Sequence, residues 1–365
     1  MRNPAIKILD WYIIKKFIGT YFAAILIIIT IVIIFDISEK IDDFVEKEAP
    51  LRAIVFDYFM NFIPYIVNMF SPLFVFITVI FFTSQLAANS EIIAVLSGGV
   101  SFLRLLRPYI ISAAIIALFS FVLGMYVIPP ANANRLKFER EYINSSKKPP
   151  LNKNVHYQIA PGEFVYAESF SNWNSTVYSF TLETIKDNEL VSKLTAERAS
   201  WDTTIMGWKL HNYFIRDLDK FGNERLQIGK SKDTVIALTV EDFQRRSNYV
   251  EELNARDLDA LIAIQRMRGD KMVKYALIEK NTRIATPFSA FILTIIGVSL
   301  SSRKRRGGIG LNIGIGLALS FSYILFMRFS QMFVHTDTLP PLIAIWLPNI
   351  LYAFIAYGLY RMAPK

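Results

Sequence analysis

Residues of the kinds that usually carry catalysis are sparse in this chain. The 365 residues include no cysteine, so thiol nucleophiles, disulfides and cysteine-ligated metals are excluded. His156 and His211 lack the spacing of a metal site, and neither a Gly-Xaa-Ser-Xaa-Gly motif nor a phosphate-binding Gly-Xaa4-Gly-Lys-Ser/Thr loop is present. The sequence therefore predicts no catalytic residue, metal or cofactor, and it assigns any ATP hydrolysis to a partner subunit.

One arginine stands out because it lies inside an apolar segment. Arg328 is near the end of the apolar run Ile309–Phe329. An ionisable residue within a membrane span is costly and is often functional, although an arginine near a span end also reaches out to the lipid headgroups. We predict that Arg328 contacts an anionic ligand, with Phe326 and Tyr323 beside it and Lys40 as a weaker companion. The alternative, a simple interface anchor, stays open.

The elements that must position these residues are six apolar segments. Three of them precede a mostly polar stretch of the chain, residues 129–283, and three follow it. Each is close to the ~20 residues that cross ~30 Å of hydrocarbon as a helix. We predict a polytopic α-helical membrane protein with six transmembrane helices: Ile18–Phe35, Ile63–Leu86, Pro108–Ile128, Ile284–Leu300, Ile309–Phe329 and Leu342–Leu359.

The charges around these segments predict their orientation. The net charge is +9, and 12 basic residues fall in short segments on one side of the predicted spans, against three among seven acidic residues on the other. The positive-inside rule then places both termini in the cytoplasm and the polar stretch on the opposite side of the membrane. This topology accounts for the basic residues, so a nucleic-acid-binding surface is not expected. The 12 residues are Arg2, Lys7, Lys15, Lys16, Arg104, Arg107, Arg303, Lys304, Arg305, Arg306, Arg361 and Lys365.

The polar stretch has the alternating pattern of β-strands. Four short runs alternate apolar and polar residues, and turn signals such as Pro161-Gly162 separate them. Regular short strands of this kind predict an inserted all-β domain, a sandwich or jelly roll, between helices 3 and 4. The predicted domains are helices 1–3 in 1–130, the β domain in 131–253, a helical return segment in 254–283 and helices 4–6 in 284–365. The four strand candidates are Phe164–Ala167, Val177–Leu182, Trp208–Ile215 and Leu226–Ile228.

A short helix is predicted between spans two and three. Asn89 or Ser90 is a good N-cap, Glu91 suits the positive end of a helix dipole, and Gly98-Gly99 ends the helix. The expected helix, about Glu91–Ser97, is too short to cross a membrane. We predict that it lies on the cytoplasmic surface, within a segment of about 88–99.

Two further segments have more than one interpretation. Asp36–Arg52 mixes acidic and basic residues, which indicates a solvated loop or, alternatively, the rim of a substrate entrance. Gly310 and Gly314 form a small-xxx-small pair, which favours close helix packing. A phosphate-binding role for these glycines is disfavoured, because no Gly-Lys-Ser/Thr follows them.

Four stretches of the sequence resemble the LptF/LptG permease family. They are Leu9–Lys15, Ala88–Gly99, Ala196–Asp202 and Glu279–Phe288, and together they extend over nearly the whole chain. The second stretch, with Ser90-Glu91 and Gly98-Gly99 before the third span, is the most specific. The opening and Asp36–Phe44 look more like the LptG branch.

The resemblance implies a function and a set of partners. Members of this family are transmembrane subunits of an ATP-driven exporter that takes lipopolysaccharide from the outer leaflet of the inner membrane. The implied partners are a sister LptF/LptG-type permease, an LptB-type ATPase dimer, an LptC-type bitopic protein and a periplasmic bridge. Family members often carry lysines after the first span to meet substrate phosphates, but Lys40 is the only obvious cation there in this chain.

The family also implies a role for the short cytoplasmic helix. The residues that it assigns to ATPase coupling are Ser90, Glu91, Ala94, Gly98 and Gly99. Two rival functions remain open on the sequence. One is a MacB/FtsX-like mechanotransmission permease, whose large external domain usually follows the first span rather than the third. The other is a membrane-anchored periplasmic binding or assembly module without transport.

Overall fold

The chain forms a helical unit and a β unit. The computed structural model describes residues 8–143, 153–219, 223–244, 247–302 and 308–363. The helical unit contains 1–144, 251–255 and 277–365, and the β unit contains 145–250 and 256–276. Several basic residues that predict the topology lie outside the described residues: Arg2, Lys7, Arg303, Lys304, Arg305, Arg306 and Lys365.

Six helices are long and apolar enough to cross a membrane, which confirms the predicted number of spans. Three lie before the β unit in the sequence and three after it. A short π-helical segment interrupts the second of the six, and two others lie within and at the end of the third. The described helices are α1 (Ile8–Glu46), α2 (Leu51–Ala88), α3 (Glu91–Ser97), α4 (Phe102–Ile143), α5 (Val240–Gln244), α6 (Ala255–Met267), α7 (Val273–Ser301), α8 (Gly308–His335) and α9 (Pro341–Met362). All but α3, α5 and α6 are the membrane-spanning candidates.

Some buried polar side chains in the helical unit are paired across helices. Tyr21 of α1 shares a hydrogen bond of 2.7 Å with Ser71 of α2, and Thr83 of α2 donates to the Tyr109 hydroxyl of α4 at 3.1 Å. Such pairs matter because lipid offers no hydrogen-bond partner to an exposed polar group. They fix how α1, α2 and α4 face one another.

Close helix packing within this chain uses different glycines from those predicted. A Cβ at Gly310 or Gly314 would meet nothing within 4 Å, so the predicted packing pair makes no close contact among the described residues. A Cβ at Gly316 would instead collide with Ile80 of α2, and one at Gly297 would lie 2.8 Å from Val79. The small residues that bring α7 and α8 against α2 are therefore Gly297 and Gly316.

The segment expected to be a loop after the first span is helical. α1 continues through Asp36 and ends at Glu46, so Asp36–Arg52 is not an open loop over most of its length. Lys40 lies one turn after Asp36 and pairs with it at 2.6 Å, which supports the extension. Asp10 and Lys40 lie towards opposite ends of α1. We call the end of the helical unit that contains Asp10 the Asp10 end, and the end that contains Lys40 the Lys40 end.

The β unit contains one antiparallel sheet, which confirms an inserted β domain between the third and fourth membrane-spanning helices. The six strands pair in the order in which they occur along the chain. The jelly-roll arrangement stays a prediction. The strands are β1 (Lys153–Ala160), β2 (Glu163–Ser171), β3 (Thr176–Lys186), β4 (Glu189–Asp202), β5 (Gly207–Leu218) and β6 (Glu224–Thr234).

One face of the sheet is covered by a small core. Trp208 is fully buried, and its indole nitrogen donates to the carbonyl oxygen of Leu238 at 2.7 Å. Phe243 of α5 stacks on Phe170 with ring centres 4.9 Å apart. These contacts give the sheet a hydrophobic core of its own.

Candidate functional site

An aromatic stripe on α2 organises the Lys40 end. Tyr58, Phe62, Tyr65 and Met69 follow one another at spacings of four, three and four residues, which places them on one face of a helix. Tyr58 is fully buried, and Phe62 is 9% exposed. We call these four residues the α2 stripe. Cations from three other helices reach it.

The first cation is Lys40 of α1, and its charge is matched locally. Its ammonium group lies 4.9 Å from the centre of the Tyr58 ring and 5.7 Å from that of Phe62. The same nitrogen donates to the Tyr58 hydroxyl and to Asp36, and Tyr58 donates to Asp36 at 2.9 Å. Lys40 and Asp36 therefore form a closed group with Tyr58, which leaves Lys40 little free charge for a ligand.

The second cation, Arg135 of α4, is buried against the stripe. Its guanidinium carbon is 5.0 Å from the centre of the Tyr65 ring and 5.6 Å from that of Phe62. It pairs with Glu139 at 3.1 Å and with Glu251 at 3.9 Å. Its Nε is buried and has no hydrogen-bond partner among the described residues. Arg135 thus keeps a free donor in a largely dry site.

The third cation, Arg328 of α8, is the least neutralised of the three. Its side chain is exposed, and one guanidinium nitrogen lies 3.8 Å from the Met69 sulfur. Its charge also acts on the Tyr65 hydroxyl and on the Glu251 carboxyl. Arg328 forms no ion pair within the part of the chain that the structure describes. It is the cation best placed to meet an external anion.

The carboxyl group of Glu251 has an unusual protonation equilibrium. Burial, together with the negative charges of Glu279 and Glu139, raises its pKa to about 7 against the opposing charges of Arg135 and Arg328. Around neutral pH this group is therefore partly protonated. The site as a whole offers arginine donors above aromatic rings, an arrangement suited to binding an anionic group beside an apolar body.

Two of the residues predicted to surround Arg328 have packing roles. Tyr323 is 1% exposed, donates to the Asn349 side chain at 2.8 Å and has its ring centre 5.1 Å from that of Tyr352. Phe326 is partly buried in the same apolar cluster. Tyr323 joins α8 to α9 and Phe326 packs in the apolar cluster, so the site described here consists of the α2 stripe and its cations without them.

The residues predicted for ATPase coupling lie at the Asp10 end, in α3 and in the turns on either side of it. The side chain of Ile92 is 1% exposed and anchors α3, whereas Glu91 and Ala94 are exposed. The Glu91 carboxylate accepts a hydrogen bond from the Asn89 amide at 3.3 Å. Of the two predicted N-cap residues, Ser90 occupies the N-cap position of α3, but its backbone is left-handed with φ of 63° and its side chain makes no capping hydrogen bond.

The end of α3 and the start of α4 are tightly constrained. Gly98 follows α3, and Gly99 has a φ of 82°, a conformation that glycine adopts without strain. Ser101 caps α4 by accepting from the Arg104 backbone at 3.3 Å. Arg104 then forms two hydrogen bonds to Asp10 of α1, at 2.7 and 2.6 Å. This bidentate pair ties α1 to the helix that follows α3.

Sequence reasoning missed Arg135 and the α2 stripe. Arg135 follows two prolines in a polar stretch that resembles the start of the inserted domain, yet the structure continues α4 through it to Ile143. The aromatic spacing on α2 is visible in the sequence. It does not reveal which cations meet it, since they come from three distant helices.

The chain matches the model of a known protein family. The family model for the lipopolysaccharide export system permease LptF/LptG matches residues 11–362. The chain belongs to this family. No curated protein sequence matches the chain. The matched range contains all six membrane-spanning helices and the inserted sheet, so this LptF/LptG permease is a multi-pass inner-membrane protein and a lipopolysaccharide export permease subunit rather than an enzyme in itself. The matched model describes LptF and LptG together, and the LptG-like branch stays a prediction.

Proposed function

We propose that this permease is one transmembrane half of an ATP-driven exporter. It takes lipopolysaccharide from the outer leaflet of the inner membrane and passes it to a periplasmic bridge. Its partners are a sister LptF/LptG-type permease, an LptB-type ATPase dimer and an LptC-type bitopic protein. Membership of the family supports this assignment. Because the chain has no nucleotide-binding loop, the energy must come from the ATPase.

The proposed substrate contact is the cation cluster on the α2 stripe, and it is the observation that carries the proposal. The positive-inside rule puts the Lys40 end at the outer face, where an outer-leaflet lipid presents its headgroup. Arg328 and Arg135 supply the guanidinium donors, which suit phosphate oxygens. Lys40 contributes less, because Asp36 already matches its charge.

The proposed energy input is at the opposite end, through α3. Glu91 and Ala94 are exposed on a helix that Ile92 anchors to the helical unit. Ser90, Gly98 and Gly99 set the turns on either side. We assign this surface to the ATPase, with the Glu91 carboxylate projecting into its partner. The Asp10–Arg104 pair then connects α3 and α4 to α1.

The headgroup contact is tested by replacing one arginine that contacts the α2 stripe and, as a control, one arginine that does not belong to this cation cluster. Arg328→Gln removes the exposed stripe cation, and the matched control Arg140→Gln removes an arginine that pairs instead with Glu252 at 2.8 Å. A charge-assisted hydrogen bond of about 1.5–3 kcal/mol corresponds to a loss of roughly 10- to 150-fold in affinity. We expect this loss for Arg328→Gln and none for Arg140→Gln, measured as lipopolysaccharide binding to the purified complex.

The chemistry of the lipid provides the second arm of this experiment. Dephosphorylated lipopolysaccharide should bind the unaltered protein weakly and should bind Arg328→Gln equally weakly. If the variant loses the same factor for both lipids, Arg328 does not read phosphate and serves only as an interface anchor. Unchanged binding of the phosphorylated lipid by Arg328→Gln would reject the proposed contact.

A further inference from the structure

One carboxylate lies where the proposed headgroup cations converge. Glu251 belongs to the helical unit and is the next-to-last residue of the short 3₁₀ segment Ser247–Glu252. Its carboxylate is 3.9 Å from a guanidinium nitrogen of Arg135 and 3.5 Å from the Asn132 amide nitrogen, and the charge of Arg328 also acts on it. An internal anion therefore lies beside the two arginines proposed to bind an external one.

The contacts of Glu251 are long for a structural ion pair. The neighbouring Glu252 pairs with Arg140 at 2.8 Å, and Asp10 pairs with Arg104 at 2.6 Å. Charge-assisted hydrogen bonds are normally 2.7–2.9 Å, so at 3.9 Å Glu251 gains attraction from Arg135 without a direct hydrogen bond. A loosely bound carboxylate of this kind can be displaced at low cost.

We propose that Glu251 competes with the lipid phosphate: without substrate its charge pairs with Arg135 and weakens the positive potential of Arg328, and both arginines become available when Glu251 is protonated. This inference rests on the proposed function, in which the two arginines bind the headgroup. The protonation state of Glu251 then determines whether the site binds the lipid phosphate. A phosphate next to the ionised carboxylate would be repelled, whereas protonated Glu251 lets it approach.

The groups that face Glu251 determine the pH at which this happens. Arg135 and Glu139 come from α4, Glu279 from α7 and Arg328 from α8; the Tyr65 hydroxyl of α2 also interacts with its charge. Burial and the two neighbouring glutamates outweigh the two arginines and raise the Glu251 pKa to about 7. The carboxyl is thus mostly neutral at pH 6 and mostly charged at pH 8.

The size of the effect follows from this equilibrium. A site that accepts phosphate only when Glu251 is protonated loses affinity by the factor 1 + 10^(pH − pKa), about 11-fold at pH 8 and about 1.1-fold at pH 6 for a pKa of about 7. Glu251→Gln keeps the shape of the side chain and removes the titration. The variant should therefore bind phosphorylated lipopolysaccharide roughly tenfold more tightly than the unaltered protein at pH 8 and about equally at pH 6.

The experiment compares three proteins as purified full-length complexes. They are the unaltered chain, Glu251→Gln and the matched control Glu252→Gln, each measured with phosphorylated and dephosphorylated lipopolysaccharide at pH 6 and pH 8. The phosphate itself titrates near pH 6, but this affects all three proteins alike, so the ratio of variant to unaltered affinity isolates Glu251. We expect that ratio to depend on pH for Glu251→Gln with the phosphorylated lipid, and to stay near one for Glu252→Gln.

A second measurement follows the proton directly. Binding of the phosphorylated lipid at pH 8 should take up nearly one more proton in the unaltered protein than in Glu251→Gln, measured from the dependence of binding heat on buffer ionisation. Equal proton uptake, or an affinity ratio that is the same at both pH values, would overturn the inference while leaving the headgroup contact intact. If all three proteins bind both lipids equally, the proposed headgroup contact itself fails, and the inference fails with it.

Discussion

The bidentate pair between Asp10 and Arg104 makes the sharpest prediction about stability. The side chain of Asp10 is 5% exposed and that of Arg104 is 27% exposed, and their two hydrogen bonds are 2.6 and 2.7 Å long. The pair joins α1 to α4 across 94 residues of sequence. Removing either side chain therefore removes a link between two helices as well as an ion pair.

The structure predicts that the two single substitutions differ in cost. Arg104→Ala removes both charge-assisted hydrogen bonds from a carboxylate that is 5% exposed, which costs about 3–5 kcal/mol. Asp10→Ala leaves a guanidinium that is partly exposed and can be hydrated, so the loss is closer to the ~1.5–3 kcal/mol of hydrogen bonds to a charged group. The double variant should cost less than the sum of the two, because both single substitutions remove the same pair of hydrogen bonds.

The measurement is equilibrium unfolding in mixed micelles with an increasing fraction of SDS, analysed as a double-mutant cycle. Arg107→Ala is the matched control, since Arg107 is one turn further along α4 and exposed. A cost for Arg104→Ala no greater than that for Arg107→Ala would refute the reasoning. Strict additivity of Asp10→Ala and Arg104→Ala would refute it too, by showing that the two side chains do not interact.

Three further predictions concern coupling, orientation and packing. Glu91→Lys should abolish transport while the protein remains in the membrane, and Glu91→Asp should reduce it, as measured by transport assays with co-purification of the ATPase; full transport by the lysine variant would exclude the coupling role. Single cysteines at Asn174 and Ser97 should differ in intact cells, with only the first labelled by an impermeant thiol reagent; equal labelling would contradict the orientation. Gly316→Ala should destabilise the protein by about 1–3 kcal/mol because its methyl group meets α2, whereas Gly314→Ala should be neutral in the same unfolding assay.

The membrane-spanning helices could be predicted because each contains a long apolar run. The β-strands were harder, as β4 shows. Its buried positions include Ala196 and Ala199, which are 1% and 0% exposed. Alanine has little hydrophobicity, and charged Glu197 and Arg198 lie between these two residues, so the alternation that reveals a strand is weak there. Pairing with β3 and β5 on both sides makes β4 a central strand.

The candidate site could be predicted only in part for a similar reason. An arginine within an apolar run is visible in one sequence, so Arg328 was found. Whether a cation is free depends on tertiary partners, and the contact of Lys40 with Asp36 and Tyr58 appears only once α1 is helical beyond the membrane-spanning run. The position of Arg135 against Tyr65 depends in the same way on the continuation of α4.

The length of α1 has a mechanical consequence. This helix has 39 residues and no proline, and Asp10 and Asp36 attach it to its neighbours at points roughly 39 Å apart at 1.5 Å per residue. Between these attachments only 17% of its apolar window is buried. Because α1 is attached at both of these points, it cannot move outward as a rigid rod that pivots about one of them. Tyr21 is held to Ser71 of α2, so any gap that opens beside α1 for a lipid must come from bowing of the stretch between Tyr21 and Asp36. That curvature must then change the tilt of the helix at both attachments together.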